Sequence, residues 1–185
     1  MGEYYYLDVE STGLNPKEDK IITIQYQKIA FGKPIGKLII LKEWESSEEE
    51  IVKKFYDVFI SDNPFNFIPV MQNHLFDFRF LLEKFKKYNL QIDGKEIDFL
   101  YKLPIIDLKS IFVIANNLNF RNSGLDSFSE KNKKGSIIPD LYAKKEYDLI
   151  EDYIKQEANS FIKAFEIILN YLPNLKSLLK NEKEK

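Results

Sequence analysis

Residues 4–16, YYYLDVESTGLNP, constrain the fold more than any other stretch of the chain. Tyr4 to Glu10 is aromatic and β-branched and stops at a Ser-Thr-Gly break, which predicts a β-strand. Alternation along a strand puts Asp8 and Glu10 on one face, with Tyr5, Leu7 and Val9 on the other. Two carboxylates side by side at the end of an apolar strand repel each other and resist desolvation. Two explanations are open at this point. A divalent cation such as magnesium or manganese offsets the repulsion through hard oxygen ligands, or the acids simply sit in water at the strand end.

The remaining elements follow from periodicity and turn chemistry. Asn15-Pro16 marks a turn, after which Lys20 to Phe31 alternates, with Ile22, Ile24 and Tyr26 on one side and Thr23, Gln25 and Gln27 on the other. Gly32-Lys33-Pro34 leads into a third strand, Ile35 to Leu41, so the three strands form an antiparallel meander. Ser46 and Ser47, each followed three residues later by a glutamate, are capping-box signatures for a helix through Ile51, Phe55, Val58 and Phe59. Phe67 to Met71 reads as a strand, with a helix after Asn73-His74 to about Tyr88. Leu103 to Asp107 reads as a fifth strand leading into a helix through Ile111 and Ile114. A loop (Asn116 to Gly124), a short helix (Leu125 to Glu130), a lysine-rich surface loop (Lys131 to Gly135) and a helix from Tyr142 to Leu172 complete the order. Three strands, helix, strand, helix, strand, helices predicts an α/β fold, the meander leading into parallel strands.

Two further acids stand out against apolar stripes. Asp77 lies in the first turn of its helix, within about 60° of Phe80, Leu81 and Tyr88 at ~100° per residue. It is either an ordinary first-turn acid favoured by the helix dipole or a third carboxylate aimed at the end of the preceding strand. Glu157 falls inside the stripe Ile150, Ile154, Phe161, Phe165 and Ile168, with Tyr153 one turn earlier about 40° away. A glutamate there should be paired, protonated or bound to a metal, and with no lysine or arginine one turn away on the stripe a metal is the better account. Asp148 and Asp152 point away from it and read as solvated.

Together these stretches resemble the DEDD (DnaQ-like) 3′–5′ exonuclease family. DVESTGL at Asp8 to Leu14 is similar to its first motif, and NHLFDFRFL at Asn73 to Leu81 to its second. YIKQEA at Tyr153 to Ala158 is similar to the tyrosine form of the third, except that Glu157 stands where aspartate is usual. The resemblance covers nearly the whole chain. It implies a ribonuclease-H-like fold, a five-stranded mixed sheet flanked by helices, in one domain over residues 1–178 with a charged tail at 179–185. It also implies hydrolysis of phosphodiesters at a single-stranded or frayed 3′ end, in DNA or RNA, with release of nucleoside monophosphates. Asp8, Glu10, Asp77 and Glu157 would then hold two Mg²⁺ or Mn²⁺ ions, and Tyr153 would orient the attacking water. Ser11, Thr12, Gly13, Leu14, Asn73 and Phe76 would contact substrate, with Leu14 packed against the terminal base. A polymerase or repair protein is a partner such a nuclease would work with. The alternative, suggested by Glu157 and the absence of strong positive charge, is a catalytically weakened or inactive fold of this kind that holds nucleic acid or a protein partner.

Composition narrows the field around that reading. A net charge of −2 argues against holding nucleic acid by electrostatics alone. The absence of cysteine excludes disulfides, thiolate zinc sites and a cysteine nucleophile. No apolar run is long enough to span a membrane, so a cytoplasmic protein without a membrane partner is the expectation. His74, the only histidine, reads as structural, and Asp107 as a helix N-cap. Lys84, Lys86 and Lys87, with Lys131, Lys133 and Lys134, either touch a phosphate backbone or form a solvated face, and the solvated face is the expectation.

Overall fold

The computed structural model of the protein describes residues 2–61, 63–90, 101–128 and 135–181. Five strands, β1 (Tyr4–Ser11), β2 (Ile21–Ala30), β3 (Lys33–Lys42), β4 (Ile68–Met71) and β5 (Ile106–Asp107), form one sheet in the order β3-β2-β1-β4-β5. The β1–β2 and β2–β3 pairs are antiparallel, and β1–β4 and β4–β5 are parallel. This is the mixed sheet expected above, with β1 at its centre. The helices among the described residues include α1 (Glu48–Phe59), α2 (His74–Lys87), α3 (Leu108–Ala115), α4 (Leu125–Phe128), α5 (Ile138–Ala143) and α6 (Tyr147–Asn181). Among the described residues no helix is long and apolar enough to cross a membrane.

Alternation along β1 divides the core into two layers. Leu7 and Val9 pack with Phe55 and Phe59 of α1 and Phe80, Leu81 and Phe85 of α2. Tyr6 faces the other way, with Phe112 of α3 and Ala158, Phe161 and Phe165 of α6. Burial of such side chains is worth ~1.5–3 kcal/mol each, so both helical layers are fixed to the sheet that carries Asp8 and Glu10.

Local chemistry sets the helix starts. Ser47 accepts the Glu50 N–H at 3.1 Å and caps α1, as its capping box implies. Asp107 caps α3 through the Lys109 N–H at 2.9 Å, and also accepts the Asn73 N–H and meets His74 Nδ1 at 2.7 Å. One carboxylate therefore joins the end of β5 to the start of α2, which accounts for both His74 and Asp107 as structural residues.

Four expectations are corrected. Ile22 does not share a face with Ile24, because β2 carries an extra residue where Glu10 pairs Thr23 and Ser11 pairs Ile21. That bulge turns Ile22 towards Ile150 and Ile154 of α6. The fifth strand contracts to two residues, since β4 offers only Val70 and Met71 to pair with it. The long helix starts at Tyr147 rather than Tyr142, because Lys145 adopts φ 58 and the Glu146 N–H returns to the Leu141 carbonyl, ending α5 in a Schellman-type cap. It also runs past Leu172 to Asn181. The loop at 131–134, residues 129–130 of the short helix and the tail beyond 181 lie outside the described residues.

Lys84 is the fourth correction: it is buried, not solvated. Its Nζ sits 3.3 Å from Glu48 Oε1, and Glu48 also accepts the Ile21 N–H, Lys87 and the Tyr88 hydroxyl. Burial by itself would raise the Glu48 carboxyl, but hydrogen bonds from Lys87, Tyr88 and the Ile21 N–H, with the Lys84 charge, leave it below its usual range. A lowered carboxyl adds stability above the unfolded-state value of ~4.3 and loses it as pH falls through the folded value. Glu48→Gln should therefore melt below wild type at neutral pH, with the gap closing on acidification. A gap independent of pH in a series of melting curves would disprove it.

Candidate active site

Asp8 stands on the central strand with its carboxylate fixed from below and beside. Gln25 Nε2 of β2, its register partner, donates to Asp8 Oδ2 at 2.7 Å, and the Tyr6 hydroxyl lies 3.4 Å from the same oxygen. Thr23 in turn donates to Gln25 Oε1 at 2.9 Å, which fixes the amide so that its NH₂ faces Asp8. Thr23 and Gln25 are wholly buried. They form a polar floor under the carboxylates, on the face shared by Asp8 and Glu10.

Glu157 reaches this floor from α6. Carboxylate oxygens of Asp8, Glu10 and Glu157 all lie within 4.8 Å of one another, and the three side chains are half-buried. Asp152, on the same helix, points to solvent and pairs with Lys155 at 3.7 Å. Asp77 arrives from the opposite layer. The parallel ladder between β1 and β4 ends at Tyr6 and Val70, and beyond it the Val9 N–H donates to Asp77 Oδ1 at 3.0 Å. Burial, followed by the charge on Asp8, holds the Asp77 carboxyl well above its usual range, with Glu157 adding to the effect. All four acids thus sit at the C-terminal end of β1, three of them in one tight group.

Tyr153 completes the cluster. It is buried and hydrogen-bonded to the Glu157 carboxylate one turn on. Burial, then the charges of Glu157 and Glu10, push its hydroxyl far above the usual phenol range, so it stays protonated and acts as a donor. Gly135 lies against that hydroxyl, where an added Cβ would sit 3.1 Å from the oxygen. Gly135→Ala should leave the fold intact and shift the phenol by a few tenths of an ångström, visible as a changed Tyr153–Glu157 distance in a crystal structure of the variant.

The expected substrate-contacting residues divide by exposure. Leu14 is 82% exposed, and Asn73 is exposed at φ 63 with its N–H held by Asp107. Thr12 and Gly13 are half-buried in the loop after β1. Ser11 is buried, its hydroxyl spent on the Gly13 carbonyl at 2.6 Å, and Phe76 packs on Phe80. The sequence reading missed Gln25, Thr23, Tyr6 and Gly135. The signal for the first two was present, as alternate polar residues beside the isoleucines that open β2.

The fold has counterparts among solved structures. E. coli exonuclease I in complex with a dT13 oligonucleotide superposes with a TM-score of 0.65 at 12% identity, covering 97% of this chain and 43% of that one. Exonuclease I in complex with the inhibitor BCBP gives 0.62 at 11%, over 98% and 44%. The zinc-ion-bound E. coli exonuclease I–ssDNA complex gives 0.62 at 11%, over 98% and 43%. The chain spans less than half the length of these structures, and at such identity the likeness is one of fold. No curated protein matches the sequence. A family model described as the RNase_H superfamily matches residues 5–171, a span that holds every acid of the cluster, and the chain belongs to that superfamily.

Proposed function

We propose that this chain is a divalent-metal-dependent 3′–5′ exonuclease of the tyrosine DEDD type, acting on single-stranded or frayed ends and releasing nucleoside monophosphates. The observation that carries the proposal is the gathering of Asp8, Glu10 and Glu157 within 4.8 Å beside buried Asp77. Carboxylates brought this close need a cation to offset their repulsion, and an all-oxygen donor set suits Mg²⁺ or Mn²⁺. Asp8, Glu10 and Glu157 would hold one ion, and Asp8 with Asp77 a second. Bound there, the ions supply charge stabilisation at phosphorus and a water of lowered pKa.

The chain's own residues supply position and order. Gln25 and Tyr6 hold Asp8 in one rotamer, so its oxygens are set before any ligand arrives. Tyr153, beside Glu157, orients the attacking water by hydrogen bond, since a phenol with an ordinary pKa near ~10 is a poor general base at neutral pH. Leu14 offers an exposed apolar surface to the terminal base, with the backbone of Thr12 and Gly13 beside it. The dT13 complex of exonuclease I makes single-stranded DNA the first substrate to test.

The test is a 5′-labelled oligonucleotide with millimolar Mg²⁺ or Mn²⁺. A ladder shortening from the 3′ end and stopped by chelation is expected, whereas intact substrate in both metals, or mononucleotide released first from the 5′ end, would refute the proposal. Metal at ~100 times its Kd should also raise the melting temperature by about 5–10 °C. The polar floor offers a separate check. Gln25→Leu removes the donor to Asp8 and strands the Thr23 hydroxyl, so metal affinity read by titration should fall ~10–100-fold. An unchanged affinity would mean that Asp8 needs no such support.

A further inference from the structure

We infer that Lys84 is a positioning residue: from inside α2 it fastens the substrate-facing loop after β1, residues 12–19, to the helix that carries Asp77. The inference rests on the exonuclease reading of the site. The loop is knit into a unit by its own bonds. The Thr12 N–H reaches the Lys20 carbonyl at 2.9 Å, the Lys20 N–H returns to Thr12 Oγ1 at 2.9 Å, and the Asp19 N–H reaches the Asn15 carbonyl at 2.8 Å. The Asn15 N–H is taken by Asp19 Oδ2 at 2.8 Å. Gly13 lies so close to the Asp19 carboxylate that an added Cβ would fall 2.4–2.6 Å from its atoms.

Buried Lys84 joins this unit to α2. Its ammonium donates to the Pro16 carbonyl at 2.9 Å and the Asp19 carbonyl at 2.5 Å, and faces Glu48 at 3.3 Å. Three donors meet three acceptors, which matches the whole capacity of an ammonium group. An apolar side chain of equal length would fill the space but leave both carbonyls without that donor. Lys84 and Asp77 are two turns apart and within about 20° on α2. One helix face therefore holds the Val9 N–H at its first turn and the loop at its third, and Leu14 stands at the exposed crest between them and solvent. The placement of Leu14 over a terminal base thus depends on a residue that touches no substrate.

The test pairs hydrogen exchange with kinetics on Lys84→Met, using a dT oligonucleotide and Mn²⁺. Exchange at the loop amides should quicken by at least ~10-fold, while β1 and the first turns of α2 keep wild-type rates. The oligonucleotide KM should rise ~10-fold with kcat within about twofold. Exchange that rises evenly over the whole chain, or a kcat that falls at constant KM, would mark a merely structural lysine and overturn the inference. Should Lys84→Met fail to fold, Lys84→Gln, which keeps an NH₂ donor but is too short to reach both the Pro16 and Asp19 carbonyls, must give the same loop exchange and KM signature. A variant identical to wild type in both readouts overturns the inference equally. A wild type inactive on the oligonucleotide sinks the exonuclease reading instead, and the exchange rates still decide whether Lys84 holds the loop.

Discussion

Asp8→Asn should lower exonuclease activity by roughly 10³-fold or more and at the same time raise the melting temperature of the metal-free protein. The two effects have one cause. Asp8 shares its surroundings with Glu10 and Glu157 inside 4.8 Å, and its charge is the largest single charge acting on buried Asp77. Without metal, that charge is a liability to the fold. The amide keeps the shape and can still receive a hydrogen bond from Gln25, so the variant should fold, and fold more stably. The rise in melting temperature with Mn²⁺ should shrink or vanish in the same variant, since the shift measures differential binding to the native state. Activity within a few-fold of wild type would refute the site. A variant less stable than wild type without metal would show that Asp8 is held by donors stronger than the repulsion, which would remove the argument for a cation.

The sheet and its order were legible because β1, β2 and α1 announce themselves in more than one way. Alternation, turn residues and the Ser47 capping box point to the same elements, and agreement between levels is what a foldable sequence provides. The acids were legible for a related reason. Glu157 is a charge in an apolar stripe, a local contradiction that singles it out, and the fold brings Asp8 and Glu10 within 4.8 Å of it, adding like charges rather than a counter-charge.

What escaped the sequence lacked a local signal. The end of α5 uses Lys145 at a left-handed position where glycine is usual, so the pattern ran on without a visible stop. The bulge at Ile22 leaves composition unchanged and alters only which layer the residue joins. Lys84 belongs to a run of lysines that reads as solvated, and its burial follows from carbonyls of a loop 65–68 residues away in the chain. Gln25 reads as one of the polar residues on the side of the second strand opposite Ile24 and Tyr26. It is wholly buried between Thr23 and Asp8, a tertiary fact that no window of the sequence contains.

Glu157→Gln should abolish activity, whereas Asp152→Asn should leave it unchanged. Both residues lie on α6, yet about 140° apart, and only Glu157 meets Asp8 and Glu10 while Asp152 is exposed beside Lys155. The reverse result would refute this assignment of the last carboxylate. The length of the side chain makes a finer prediction. Glutamate adds a methylene and a rotatable bond relative to aspartate, so its carboxylate is less firmly placed, and errors of ~1 Å can cost ~10²-fold in rate. The Tyr153 hydroxyl restrains it by a hydrogen bond. Mg²⁺ demands near-ideal octahedral geometry, so wild type should turn over slowly with Mg²⁺ and faster with Mn²⁺. Tyr153→Phe removes the restraint and should widen that metal preference, while Glu157→Asp should narrow it if the helix backbone stands close enough for the shorter side chain. Steady-state rates for the three proteins in the two metals decide the matter. A total loss in Glu157→Asp with both metals would mean that the separation of α6 from β1 has been set for glutamate, and that its extra methylene is a requirement of this site.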